Sequence, residues 1–233
     1  MSKEPSGEPT SPPCTIRNYR PGDRAAVRWL CCQTGFLGQP IDPVFEDREL
    51  FADFLTNYYL EVEPQSAFVM EIGGEVRGYL LGCRFPLRNQ WHNLVQNFGQ
   101  AARVIWRYPR YSAASKRFIH WMLGNAWREV PAAPRRTAHF HLNLLPDARS
   151  MFNTRLLIDA YLQYLTDNGE KRVYGQMVSF ANRRGEKMFQ RYGFRVLNKT
   201  EITKYRRLHP EPVYLCTVIK DLEDFSQFKS QKT

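Results

Sequence analysis

The stretch that most constrains the fold runs from His139 to Phe194. It opens with HFHLNLL, in which polar and apolar residues alternate at the two-residue period of a strand lying on a core. Pro146 and a polar loop follow. Residues 155–168 then place Leu156, Leu157, Ala160, Tyr161, Tyr164 and Leu165 on one side of a helix that Gly169 ends. A strand over 172–178 and a helix over 183–192, closed by Gly193 and Phe194, complete the unit. A strand, a helix and a strand joined by short loops form a crossover, and a crossover needs at least one parallel strand pair. The chain is therefore expected to be an α/β protein.

The flanking segments supply the rest of a sheet. TIRNY from Thr15 reads as a strand. A helix follows, with Asp23 as its expected N-cap and Ala26, Val27, Leu30 and Cys31 on its apolar side, ended by Gly35. A second helix carries Leu50, Phe51, Phe54, Leu55 and Tyr58 on one face. SAFVMEIGGEVRGYLLG is a hairpin turning at Gly73-Gly74. Strands are expected over 136–145, 194–198 and 213–219. The domain reading is a disordered tail over 1–14, one domain over 15–222 and a tail over 223–233. Residues 86–134 form a helical insertion containing Trp91, Trp106, Trp121 and Trp127, whose aromatics are expected to make its own core.

At 233 residues and 43% apolar content the chain can bury a substantial core. No run of about 18 apolar residues marks a membrane span, so no membrane partner is expected. The polar, proline-rich start lacks a secretory core, and a cytoplasmic location is the expectation. The five cysteines fit neither a disulfide framework nor a metal pattern and read as free, mostly buried thiols. The formal charge of +10 favours an anionic partner.

A strand that leads through a short loop into a helix makes an anion site, because the first-turn N–H groups and the helix dipole both face the ligand. Arg149 and Arg155 add positive charge to this one.

Leu144-Leu145-Pro146, the loop Ala148-Arg149-Ser150-Met151-Phe152-Asn153, the Leu-Leu helix start, Asn182-Arg183-Arg184-Gly185 and Met188-Phe189-Gln190-Arg191-Tyr192-Gly193-Phe194 together resemble the acetyl-CoA-binding core of the GNAT N-acyltransferase superfamily. The resemblance covers roughly residues 15–85 and 136–220. It implies a mixed, mostly antiparallel central sheet flanked by helices, with the insertion between the third and fourth strands. It also implies an acetyl-CoA-dependent N-acetyltransferase acting directly on an amine, small molecule or protein. Leu144, Leu145, Arg149, Ser150, Met151, Phe152, Asn153, Thr154, Asn182 and Phe189 would contact the cofactor, with the pantetheine arm on the backbone of Asn143, Leu144 and Leu145. Met151 and Asn153 stand where the family has loop glycines. Phe189 stands where it often has a tyrosine that protonates the leaving thiolate, and Tyr192, one turn on, is the substitute candidate.

The resemblance also implies a general base on the first strand of the unit. His139, His141 and Asn143 share one strand face there, opposite Phe140, Leu142 and Leu144. Either histidine could be the base or a hydrogen-bonded structural group. A His-x-His metal site lacks a third ligand, and Glu71 is a further base candidate. Asp42, Glu46, Asp47 and Glu49 read either as a favourable helix start or as an acidic mouth for a cationic acceptor. The insertion would shape the pocket or a homodimer face. Two other functions stay open: a GNAT-like binder without catalysis, and a nucleic-acid-binding module, which lacks any binding motif.

Overall fold

The computed structural model describes residues 14–180 and 185–223. Seven strands form one sheet in the order β1-β2-β3-β4-β5-β7-β6. They are β1 (Cys14–Asn18), β2 (Ala67–Ile72), β3 (Glu75–Cys83), β4 (Ala138–Leu144), β5 (Arg172–Phe180), β6 (Arg195–Glu201) and β7 (Val213–Asp221). Every neighbouring pair is antiparallel except β4 and β5. The mixed, mostly antiparallel sheet matches the expectation, as does the Gly73-Gly74 turn, whose two glycines have positive φ.

Helix α6 (Met151–Asp167) covers one face of the sheet. Its Leu157, Ile158, Tyr161, Leu162 and Leu165 are buried against Phe68, Met70, Leu80, Phe140 and Leu144. It starts four residues earlier than its apolar spacing predicts, because Ser150 caps it by accepting from the Asn153 N–H. Helix α7 (Gly185–Arg191) lies on the same side and buries Phe189 completely. The other face carries α1 (Arg24–Thr34) and α2 (Arg48–Asn57), which a π-helical turn over Tyr58–Val62 continues. Val27, Leu30 and Cys31 pack there on Ala67, Val69, Tyr79 and Leu81. Asp23 precedes α1 but does not cap it: its carboxylate pairs with Arg17 and accepts from the Arg20 N–H. All five cysteines are free.

The insertion is α3 (Pro86–Arg107), α4 (Ala113–Gly124) and α5 (Ala126–Glu129), between β3 and β4 as expected. Tyr111, Phe118 and Ile119 join a third cluster with Phe45, Leu50 and Tyr205. The expected internal core is otherwise missing. Trp121 is buried, but Trp91, Trp106 and Trp127 are exposed, with Trp91 at 70%. No described helix is long and apolar enough to cross a membrane.

The acidic residues before α2 turn out to be structural. Asp47 accepts from the Leu50 N–H, from Arg107 at 2.6 Å and from the Tyr111 hydroxyl at 2.7 Å. Glu46 accepts from the Ser112 N–H, Glu49 pairs with Arg28 and Asp42 with Arg48. Asp47 and Glu46 clamp the insertion to the start of α2, Asp47 caps that start, and Asp42 and Glu49 are held by arginines, which favours the helix-start reading over an acidic mouth. Asp47→Ala removes a cap and strands two donors, so it should cost about 2–3 kcal/mol. Asp42→Ala, in an exposed pair, should cost under ~1 kcal/mol. Urea unfolding of the two variants checks the difference.

Candidate active site

The strands β4 and β5 pair only from Ala138–Phe140 to Val173–Gly175. Beyond Phe140 both continue without each other, β4 held by β3 and β5 by β7. The parallel pair opens there into a gap. Along an antiparallel pair, alternate residues turn their N–H and C=O toward the partner. Leu145 donates to Arg77 O at 2.9 Å. By alternation Asn143 also faces β3, while Leu142 and Leu144 turn their backbone groups into the gap. The backbone of Asn143 and Leu145 is thus engaged with β3, and that of Leu142 and Leu144 faces the gap.

The gap opens into a cavity of about 790 Å³. It runs from the start of α6, past Phe140–Leu144 of β4 and Gln176–Val178 of β5, to a wall made by α1, α2, α3 and α4. Phe51, Phe54, Leu55, Val104, Phe118 and Met122 make that wall mostly apolar. Among the described lining residues there is no Asp or Glu, and Arg149 and Lys204 are the cations.

At the α6 end, no acceptor among the described residues engages the backbone N–H groups of Met151 and Phe152, which point out of the first turn. Their side chains are exposed. Asn153 instead closes the loop, its amide donating to Ala148 O at 2.8 Å, and the Thr154 hydroxyl donates to Ser150 O. The Arg149 guanidinium donates to Leu144 O at 3.1 Å and lies over Gly38, where a Cβ would come within 2.6 Å of it. Gly38 also has φ +87, so both its conformation and its contact call for glycine. Tyr192 donates to Met151 O at 3.4 Å and lines the cavity at this end, as does buried Phe189. Burial pushes the Tyr192 hydroxyl up, and its hydrogen bond with Thr154 opposes this. Asn182 lies outside the described residues.

The two histidines sit in different settings. His139 Nε2 is 3.2 Å from the Tyr59 hydroxyl and 3.2 Å from the Asn89 amide nitrogen. The amide donates, so that lone pair is occupied. Tyr174 packs 5.2 Å away, and His139 is not part of the cavity wall. His141 does line the cavity, with its ring against the edges of Tyr59 (4.9 Å) and Tyr79 (6.0 Å). Desolvation lowers both rings to about 4, with the neighbouring His139 adding to the shift at His141 and the Leu55 carbonyl opposing it. At neutral pH both are therefore neutral imidazoles. Asn143 donates to the Tyr79 hydroxyl at 2.7 Å. Glu71 is paired with Arg17 on β2 and takes no part in the cavity wall. Tyr59 and Asn89 belong to this setting but carry no local sequence signal. Among the described residues no cluster of three or more metal-ligating side chains exists.

The sequence matches no protein-family model and no curated protein sequence. The fold does have relatives among solved structures. One is SsHAT, 28% identical, with a TM-score of 0.60 over 91% of this chain and 99% of that one. Another is yncA of Salmonella typhimurium, described as a putative acetyltransferase with its cofactor acetyl-CoA. It is 15% identical, with a TM-score of 0.52 over 90% of this chain and 94% of that one. A third is an acetyltransferase of the GNAT family from Streptococcus pneumoniae, 12% identical, with a TM-score of 0.51 over 90% and 99%. The chain therefore has the fold of GNAT-type acetyltransferases.

Proposed function

We propose that the protein transfers an acetyl group from acetyl-CoA to the amine of an acceptor with an apolar body. The observation that carries this is the parting of β4 from β5 after Phe140, with His141 on the same cavity as Arg149, Thr154 and Tyr192 at the start of α6. The residues present suit the co-substrate. The first turn of α6 offers two backbone donors and a helix dipole to a pyrophosphate, and backbone donors do not depend on the glycines that Met151 and Asn153 replace. The backbone groups of Leu142 and Leu144 suit an amide-bearing pantetheine arm. A thioester bound there brings an acyl carbon already activated toward amines.

The chain's own part is to seat, deprotonate and dry. His141, neutral and facing the cavity, accepts the proton of the attacking amine nitrogen. The apolar wall excludes water that would compete for the acyl group. Asn143 and Tyr79 fix the strand face beside His141, and His139 with Tyr59 and Asn89 supports it from behind. Tyr192 belongs with the cofactor cradle, since its hydroxyl meets the first turn of α6. An acceptor with several positive charges would meet no carboxylate among the described lining residues, so a single amine on an apolar group fits better.

Melting with and without acetyl-CoA tests the reading. At ~100 times the dissociation constant the ligand should stabilise the fold by about 2.7 kcal/mol, a rise of roughly 5–10 °C for a domain of this size. No shift at millimolar acetyl-CoA would sink it in favour of a GNAT fold that binds without catalysing. A positive shift should be followed by thiol release with a series of amines of increasing apolar size.

A further inference from the structure

Helix α3 is turned inside out. The side it lays on the body carries its polar anchors, beside the partly buried Val104: Asn89 reaches His139, Arg103 pairs with Asp53 and Arg107 with Asp47. The side it shows to solvent is apolar. Leu87, Trp91, Leu94, Phe98 and Ile105 recur at helical spacing on one stripe, each between 50% and 74% exposed. Val95 and Trp106 widen it, and Leu123 and Trp127 of α4 and α5 are equally bare. A helix that spends its polar groups on its own protein and leaves such a stripe in water has a partner for the stripe.

Charge and side-chain type say which partner. Residues 86–134 hold seven Lys and Arg against a single acidic residue, which is six of the chain's ten net charges. That acid, Glu129, is taken by the Trp121 indole and by Thr203. A second copy laid on this face would set positive against positive with no carboxylate between. Nucleic acid would satisfy the charge but not Leu87, Leu94, Val95 and Ile105, which have no π-face for a base to stack on. Acyl chains accept those side chains, headgroup-level carbonyls suit the tryptophans, and anionic headgroups suit Arg88, Arg110, Arg117 and Arg128 around them.

We infer that the α3–α5 face docks onto the surface of an anionic lipid bilayer, with α3 lying in the plane of the interface. This adds a surface partner where the absence of a spanning segment had suggested no membrane at all, and α3 still does not qualify as a span. Ile105 and Leu123 belong both to the exposed face and to the cavity wall, so the cavity opens beside the lipid surface. An amine with an apolar tail could then pass from the bilayer to His141. That last step rests on the acyl-transfer reading; lipid docking does not.

The test is flotation of the full chain with vesicles of phosphatidylcholine, with and without phosphatidylglycerol. Each basic residue near an anionic surface contributes a factor of about five in affinity. The anionic vesicles should therefore bind at least ~10-fold more tightly than the neutral ones, and added salt should weaken binding. The double variant Trp91→Asp with Phe98→Asp should lose at least ~10-fold, and its unchanged circular dichroism melt would show that it folds. Leu208→Asp, at an exposed leucine far along the chain, should bind as the parent does. Absence of binding to anionic vesicles at low salt overturns the inference, and two results would name the true occupant. One is a dimer that Trp91→Asp dissociates; the other is single-stranded RNA binding that Trp91→Asp removes. Docking on lipid without any acetyl-CoA shift would leave this inference standing and remove only the acyl-transfer reading.

Discussion

His141→Ala is expected to lower kcat/KM for the acceptor by about 10²–10⁴, the usual contribution of a general base. The acetyl-CoA thermal shift should survive the change, because His141 lies away from the α6 end of the cavity. His139→Ala should behave differently. Its ring is tied to Tyr59 and Asn89, so its loss strands both and should cost about 1–3 kcal/mol of stability with a smaller effect on rate. The pH profile gives a second readout. With His141 held at about 4, the acid limb of kcat/KM should fall near pH 4, and activity should persist at pH values where a free imidazole is already charged. Stability follows the same groups. An unfolded histidine titrates near 6.5, and the folded rings near 4. Between those values the unfolded chain binds more protons, so stability rises with pH and is lost as pH falls through that window. The loss is on the order of 3 kcal/mol per ring at most, and His141→Ala should flatten the curve. Full activity in His141→Ala would remove the base assignment.

The elements were readable because each has a local cause. Alternation over His139–Leu144 marks β4, the Gly73-Gly74 turn marks the β2–β3 hairpin, and the Leu157–Leu165 spacing marks α6. The family resemblance then implied a mixed, mostly antiparallel sheet, without its strand order. What stayed hidden depends on distance. Nothing near His139 announces that Tyr59 and Asn89, 80 and 50 residues away, occupy its ring nitrogen. Nothing near Asp47 announces Arg107 and Tyr111, so a substrate mouth stayed open as the alternative to a helix start. Nor does anything near Leu145 announce that its N–H donates to Arg77 O. The aromatics of the insertion failed for another reason: amphipathic spacing shows that a helix has an apolar face but not which way the face turns. In α3 it turns outward.

Gly82→Ala is expected to be strongly destabilising for a single added methyl. Gly82 lies in β3 opposite Phe140 of β4, at the level where β4 is about to leave β5. A Cβ there would stand 2.2 Å and 2.4 Å from two ring carbons of Tyr161 and 2.7 Å from the backbone oxygen of Ser66. Tyr161 has no room to yield. It is fully buried, it packs on Phe68 and Phe140, and its hydroxyl donates to His139 O at 3.0 Å. Overpacking of this kind costs about 3 kcal/mol, or roughly 6–12 °C in melting temperature for a domain of this size. Tyr161→Phe keeps the ring and loses only the bond to His139 O, so it should cost about 1 kcal/mol. The comparison separates packing from hydrogen bonding at the point where the sheet opens. It also links fold to chemistry. The ring that Gly82 admits braces the β4 backbone two residues before His141, so Gly82→Ala should slow acyl transfer at temperatures where the variant is still folded. A Gly82→Ala protein that melts within 2 °C of the parent would show that β3 can shift to accommodate the methyl, and that the brace is not rigid.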